Sequence, residues 1–328
     1  MKIKQEELQI LKQDLRDLHI LVIGDIMLDR YILGSATRIS PEAPVPVVLW
    51  KETEDKLGGA SNVVSNLKSM GCTASLMGIC GNDPEGKTLE NLLKEIACDH
   101  LYLIVDPDRP TTLKTRIIAD QHQIVRVDHE SEQEISKAIQ DECLQTLKQI
   151  FALKKVDVLI LQDYNKGFLH AGWIPKIIEL ARLNGVKIAV DPKKNNFFEF
   201  KGVQLFKPNL KEAIQATEWS PKHPTDLEHL SKLLKSKLLC DRVMITLAAE
   251  GIWIDSKAGK KKYPTNPRKV ADVSGAGDTV ISLAAICLAY SLSDEFMAYC
   301  CNTGGGQVCE RSGVVPVVKS ALIKELED

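Results

Sequence analysis

Apolar residues recur along this chain in two alternating rhythms. Short, mostly apolar runs rich in Val, Ile and Leu fall at residues 19–24, 73–81, 156–161, 186–190, 202–206 and 242–246. Runs of this kind belong to strands covered on both faces. Between them lie stretches with an apolar face at helical spacing, at 5–18, 63–70, 83–96, 132–153, 174–184 and 227–239. Boundary residues agree with this division: Asp83-Pro84-Glu85 opens one helix and Asn184-Gly185 stops another. Residues 251–255 and 262–264 read as a strand pair near the far edge of the sheet. The alternation predicts an α/β fold, one doubly wound domain whose mostly parallel sheet is flanked by helices.

Two stretches break the rhythm. Residues 30–56 carry Pro41, Pro44 and Pro46 with Val45, Val47, Val48 and Trp50, a pattern of edge strands and extended loops. In residues 111–129, β-branched residues alternate with Lys114, Arg116, Gln121, Gln123, Arg126 and Asp128. Paired with each other, these insertions would form a small β-sheet lid over the strand ends. The uncovered apolar face of such a sheet invites a homodimer. A plain hairpin decoration is the alternative.

The stretch 270–292 stands out chemically. Gly275-Ala276-Gly277-Asp278 precedes an apolar run of helical character. Glycines let a backbone approach a ligand closely, and the free N–H groups of a helix start attract anions. Asp278 sets a carboxylate beside those donors, an arrangement suited to accepting a hydroxyl proton while a phosphoryl group is held. A capped turn before a core helix fits the same residues. Polar residues also end the apolar runs: Asp25, Asp163, Asp191, Asn209 and Thr246. Ends of parallel strands share one edge, where ligands bind in open α/β sheets. Each of these could instead cap a helix or shape a turn. Asp29 could pair with Arg30. Gly58-Gly59 predicts a turn ahead of a helix that carries Asn62.

Composition narrows the classes. The chain has 328 residues, 44% hydrophobic and 26% charged, with a formal net charge of -2. That balance gives no case for nucleic acid or an anionic membrane as partner. The apolar run from 280 to 292 is too short to span a bilayer. Nine Cys without metal-ligand spacing predict free thiols in a reducing cytoplasm. Neither G-x-G-x-x-G after the first strand, nor a Walker A loop, nor a G-x-S-x-G elbow, nor H-E-x-x-H occurs. Phosphoryl transfer with a phosphate cradle other than the P-loop remains.

Asp272-Val273-Ser274-Gly275-Ala276-Gly277-Asp278-Thr279 resembles the signature of the ribokinase-like (PfkB) carbohydrate kinases. Gly58-Gly59-Ala60-x-Asn62 and the Asn209-x-x-Glu212 run extend that likeness across nearly the whole chain. More narrowly, four further segments resemble the heptose-7-phosphate kinases of lipopolysaccharide-core biosynthesis. They run from Gly24-Asp25 to Arg30-Tyr31, from Arg38-Ile39-Ser40-Pro41 to Val47, then Asp163-Tyr164-x-Lys166-Gly167 and Asp191-Pro192-Lys193. The chain departs from the wider family at Ala248, where a glycine is common after Thr246; Gly251 is retained. Ser274 stands where many relatives have Thr.

The resemblance implies a ribokinase-like fold with a β-sheet lid formed by residues 30–57 and 111–129. It implies a single kinase domain over 1–328, without the adenylyltransferase domain that many bacteria fuse to it. The implied reaction is ATP-dependent phosphorylation of the anomeric hydroxyl of D-glycero-β-D-manno-heptose 7-phosphate to the 1,7-bisphosphate, with Mg²⁺. Asp278 would be the base, a task for which an ordinary low-pKa carboxylate can serve, and the backbone of Gly275, Ala276, Gly277 and Asp278 the anion hole. Lys193, Asn209, Leu210, Lys211, Glu212, Thr246, Gly251 and Asn302 would face the nucleotide, Glu212 holding the metal through water. Gly304 to Gly306 would line the adenine pocket or pack helices. Asp25, Asp29, Arg38, Gly58, Gly59, Asn62, Arg126, Asp163 and Lys166 would face the sugar phosphate. Kinases of ribose or fructose 1-phosphate, or a silent sugar-phosphate sensor, are the alternatives.

Overall fold

The computed structural model describes residues 5–120, 122–218 and 226–327; Gln121 of the second insertion lies outside them. In chain order the elements begin with α1 (Gln5–Lys12), β1 (His19–Gly24), β2 (Ile26–Ile39), β3 (Pro46–Gly59) and α2 (Ala60–Ser69). There follow β4 (Thr73–Cys80), α3 (Pro84–Glu95), β5 (His100–Val105), β6 (Leu113–Ala119), β7 (His122–His129) and α4 (Lys137–Leu153). Then come β8 (Val158–Gln162), α5 (Ile174–Leu183), β9 (Lys187–Asp191), β10 (Leu205–Phe206), α6 (Leu210–Thr217), α7 (Leu227–Leu238) and β11 (Arg242–Thr246). The chain closes with β12 (Ile252–Ser256), β13 (Gly259–Tyr263), α8 (Ala276–Ala289), α9 (Asp294–Cys309) and α10 (Lys319–Glu327).

One sheet runs in the order β13-β12-β11-β10-β9-β8-β1-β4-β5. From β11 to β5 every neighbouring pair is parallel, and β12 and β13 add an antiparallel edge. Alternate residues of β1 point to opposite faces, so the sheet builds two cores. Ile20 and Val22 join residues of α2, α8 and α9 on one side. Leu21 and Ile23 join residues of α4, α5 and α7 on the other. Helix α8 is buried at every position from Asp278 to Leu288. That accounts for its unbroken apolar run, which has no solvent face to serve.

The second sheet has the order β3-β2-β6-β7. The two insertions do pair with each other, through a parallel β2–β6 contact. The expectation of edge strands and loops at 30–56 falls short: β2 and β3 form a hairpin with arms of 14 residues each. The prolines fit, since Pro41 and Pro44 lie in the hairpin tip and Pro46 opens β3. Gly58 and Gly59 form no turn. They end β3, paired with Met27 and Ile26, and α2 starts at the next residue.

Other boundaries shift for local reasons. Helix α4 starts at Lys137 because Ser136 caps it and the Ile135 N–H is taken by the Gly167 carbonyl at 3.1 Å. Only Leu205–Phe206 of the run 202–206 pairs as a strand. Strand β5 gave no signal because five of its six residues are partly or fully exposed at the sheet edge. Gly24 ends β1 directly beside Gln162 of β8. A Cβ there would lie 2.1 Å from the Gln162 carbonyl oxygen. Gly24→Ala is therefore expected to cost about 1–3 kcal/mol of stability, read as a lower denaturant midpoint.

Candidate active site

The carboxyl ends of β1, β8 and β9 meet the N-termini of α2 and α8. Gly275 caps α8 with φ 79°, and a side chain there would reach within 2.7 Å of Asn62 Nδ2. Asp278 sits in the first turn, 3% exposed. Its Oδ2 accepts from Asn62 Nδ2 at 2.8 Å. Its Oδ1 accepts from the Tyr164 hydroxyl at 2.8 Å and from Gln162 Nε2 at 3.1 Å. Gln162 Nε2 also donates to Asp191 Oδ2 at 3.1 Å, and Asp191 pairs with buried Lys207 at 3.0 Å. Burial pushes the Asp278 carboxyl up to about 7; the bonds from Asn62 and Tyr164 oppose this, the Asp191 charge adds to it and Lys207 opposes it. An ordinary low-pKa carboxylate could serve as base, but this one is not ordinary, because desolvation outweighs the donors.

The turn supplies fewer donors than expected. The Ala276 N–H bends back to the Val273 carbonyl at 3.3 Å. The N–H groups of Gly277 and Asp278, in the first turn of α8, have no acceptor within the helix. Beside them lies a cavity of 1040 Å³ that Gly275, Ala276 and Gly277 help to line.

All the residues expected on the nucleotide side line that cavity: Lys193, Asn209, Leu210, Lys211, Glu212, Thr246, Gly251 and Asn302. Several also carry structural bonds. Asn209 and Glu212 form a reciprocal capping box at the start of α6. The remaining Glu212 oxygen pairs with Lys193, whose ammonium lies 5.2 Å from the centre of the Tyr164 ring. Asn302 Nδ2 donates to the carbonyls of Tyr263 and Pro264, fixing the loop after β13. Gly305 and Gly306 line the cavity, whereas Gly304 packs against Leu283. Ala248 has φ 52°, a left-handed conformation that suits the glycine of the wider pattern.

Residues expected on the sugar side divide. Asn62 touches Asp278 directly. Buried Asp29 pairs with Arg116 at 2.5 Å, not with Arg30, which binds Asp55 and Glu85. Gly58 makes room for Asp29, since a Cβ there would lie 2.3 Å from its Oδ2; Gly59 has φ 57°. Asp25 and Asp163 are both engaged by groups of the chain itself. Asp25 accepts the backbone N–H groups of Tyr164, Lys166 and Phe168 at 2.7, 3.1 and 3.3 Å. Asp163 accepts from the Asn165 N–H and from Asn196 Nδ2. Both carboxylates shape the loop after β8. Burial pushes Asp163 up to about 7, with the Asp25 charge adding to it.

The expected cations are also redirected. Lys166 pairs with Glu130 and Glu132, and Arg126 with Asp128. Arg38 lies nine strand residues beyond Asp29, about 30 Å along β2 at ~3.3 Å per residue, and is exposed near the hairpin tip. Sequence reasoning did not single out Gln162, Tyr164 or Lys207. Gln162 was visible as the polar last residue of an apolar strand, and Tyr164 as a member of the Asp163-Tyr164-x-Lys166-Gly167 segment. Lys207 follows β10 directly.

A family model described as pfkB family carbohydrate kinase matches residues 17–320. The protein named "Bifunctional protein HldE" of Methylobacillus flagellatus is 36% identical over 308 residues, covering 94% of this chain. Its namesake in Sulfurimonas denitrificans is 38% identical over 309 residues, also covering 94%. The chain spans 63% of the length of each of these relatives. Among solved structures, phosphofructokinase-2 from Escherichia coli in complex with potassium aligns with TM-score 0.79 at 17% identity, covering 96% of this chain and 100% of that one. Arabidopsis thaliana ribokinase complexed with ribose and ATP aligns with TM-score 0.73 at 15% identity, covering 95% and 99%. These likenesses show a ribokinase-like fold.

Replacing Asp25 by Ala strands three buried N–H groups at once. A loss of about 3 kcal/mol or more is expected in denaturant unfolding, at roughly 1–3 kcal/mol per unsatisfied group.

Proposed function

The chain belongs to the pfkB family of carbohydrate kinases, and on that premise we propose that it phosphorylates the anomeric hydroxyl of D-glycero-β-D-manno-heptose 7-phosphate with ATP. The product is the 1,7-bisphosphate, an intermediate on the way to ADP-heptose and the lipopolysaccharide core. One observation carries the chemistry: a buried carboxylate, Asp278, stands where the first turn of α8 opens on the 1040 Å³ cavity. The heptose assignment rests on the relatives named HldE and on the 38–47 segment of the sequence.

In this reading ATP lies in the cavity with its phosphates toward Lys193 and the α8 N-terminus. The sugar enters beside Asn62, Asp29 and Gly58. Asp278 takes the proton of the attacking hydroxyl, and the N–H groups of Gly277 and Asp278 stabilise charge on the transferring oxygens. Phosphoryl transfer passes through a loose transition state, so alignment and electrostatics matter more than early proton removal. Among the described residues no cluster of three or more His, Cys, Asp or Glu could hold a metal. Mg²⁺ takes oxygen ligands and keeps much of its water, and the Glu212 carboxylate on the cavity wall is an oxygen donor of that kind. Glu212 would reach it through water, and the ion would neutralise charge on the β- and γ-phosphates.

The second sheet serves as the lid, and a second copy of the chain covers its apolar surface. Ile39, Val45, Leu49 and Trp50 of the hairpin and Val125 and Val127 of β7 are all exposed. No helix among the described residues is long and apolar enough to cross a membrane.

A panel of ribose, fructose 1-phosphate, fructose 6-phosphate and heptose 7-phosphate, followed by ADP release, is expected to give the highest kcat/KM with heptose 7-phosphate. Robust turnover of another sugar with none of the heptose phosphate would overturn the substrate. Asp278→Asn is expected to lower kcat by about 10²–10⁴-fold, the usual contribution of a positioned base.

The pH dependence has a fixed sign. Asp278 must be deprotonated, and its carboxyl is raised to about 7. So kcat/KM is expected to be level well above that pH and to fall about tenfold per unit below it. A profile flat down to the ordinary carboxylate range would contradict the assignment.

A further inference from the structure

Resting on that reading of Asp278, we infer that Tyr164 is a positioning residue: together with Gln162 it fills Oδ1 of the base and leaves Oδ2 to receive the substrate proton. The count of lone pairs carries this. Each oxygen of an ionised carboxylate offers about two acceptor sites. Oδ1 takes the Tyr164 hydroxyl at 2.8 Å and Gln162 Nε2 at 3.1 Å, which exhausts it. Among the described residues Oδ2 accepts one bond, from Asn62 Nδ2 at 2.8 Å.

Tyr164 is held at three points. Its backbone N–H lies on Asp25, its ring lies under the Lys193 ammonium, and its hydroxyl is on Asp278. The loop around it has little freedom. Asn165 and Gly167 have φ 56° and 79°, and a Cβ on Gly167 would lie 1.9 Å from the Gln133 carbonyl. Burial raises the Tyr164 hydroxyl well above its ordinary value, and the charges of Asp278 and Asp191 raise it further. It therefore stays protonated and remains a donor. The Gln162 amide is oriented by two carboxylates, and its buried Oε1 has no partner among the described residues. An amide that gives up one of its own bonds to present Nε2 to Asp278 and Asp191 has its orientation set by those two groups.

The charged groups around Asp278 come from several elements. Asp191 ends β9, Lys207 follows β10, and Lys193 follows β9 in its pair with Glu212 of α6. None of these changes when the Tyr164 hydroxyl is deleted. Removing it returns an acceptor site to Oδ1, weakens the ionised form, and lets the carboxyl hold its proton at an oxygen that does not face the substrate.

The test is Tyr164→Phe, which keeps the ring for Lys193. Carbon-13 NMR of aspartate-labelled protein, with Asp278 assigned by difference from Asp278→Asn, follows the titration without any substrate. The midpoint is expected to rise by about one pH unit, the size of one hydrogen bond to a charged group. The acid limb of kcat/KM, measured with the best acceptor of the sugar panel, is expected to rise with it, while kcat at high pH recovers toward wild type. Gln162→Met, which removes the other Oδ1 donor, is expected to move the midpoint the same way. An unmoved midpoint in both variants overturns the inference, whether activity is unchanged or falls equally at every pH. A wild-type enzyme inactive on heptose 7-phosphate would overturn the substrate assignment and leave this titration to stand or fall on its own.

Discussion

A carboxylate taken out of water is the constraint on which the site depends. Asp278 could be neutral at low cost, but its neighbours are donors: Asn62, Tyr164 and Gln162 all present hydrogens to it. Burial favours the protonated form and the donors favour the ionised one. Burial outweighs the donors, which limit how far it goes, and the carboxyl is raised to about 7, where a base can both lose and accept a proton under ordinary conditions. Asp191 and Lys207 stand beside this balance as a buried pair bordering the same glycine turn.

The scaffold is organised to keep those donors in place. Gln162 ends β8, between β1 and β9, so its backbone position is fixed by the sheet. Tyr164 is reached only through the loop that Asp25 holds by three backbone N–H groups. Asn62 lies in the first turn of α2, at the point where the second sheet hands the chain back to the first. Strand β3 of the second sheet runs through Gly58 and Gly59 straight into α2, with no loop in between.

Much of this was legible in the sequence. Apolar runs located most of the parallel strands, because a strand buried on both faces needs an unbroken apolar segment. The Gly275-Ala276-Gly277-Asp278 turn was legible because close backbone approach demands small residues. Edge elements were harder to see. The partly exposed β5 has no continuous apolar signature, and the long β2–β3 hairpin looked like a proline-rich loop. Roles at strand ends were harder to read, since Asp25, Asp163 and Asp191 are the same residue type after similar apolar runs. Only three-dimensional contacts show that Asp25 accepts backbone N–H groups, whereas Asp278 accepts side-chain donors beside a turn that lines the cavity. Lys166 looked like a phosphate ligand because sequence shows a cation but not the distant Glu130 and Glu132 that pair with it; Asp128, which pairs with Arg126, is a near neighbour on the same strand, and Arg38 lies out toward the hairpin tip.

The central claim is that Asp278 takes the proton of an anomeric hydroxyl while phosphate is transferred to it. Phosphorus NMR of the product made from heptose 7-phosphate carrying carbon-13 at C1 tests this most directly. The account predicts a new phosphate resonance coupled to C1, formed by the wild-type enzyme and strongly suppressed in Asp278→Asn. A phosphate coupled to another carbon, or the same product formed at an undiminished rate by the variant, would contradict it.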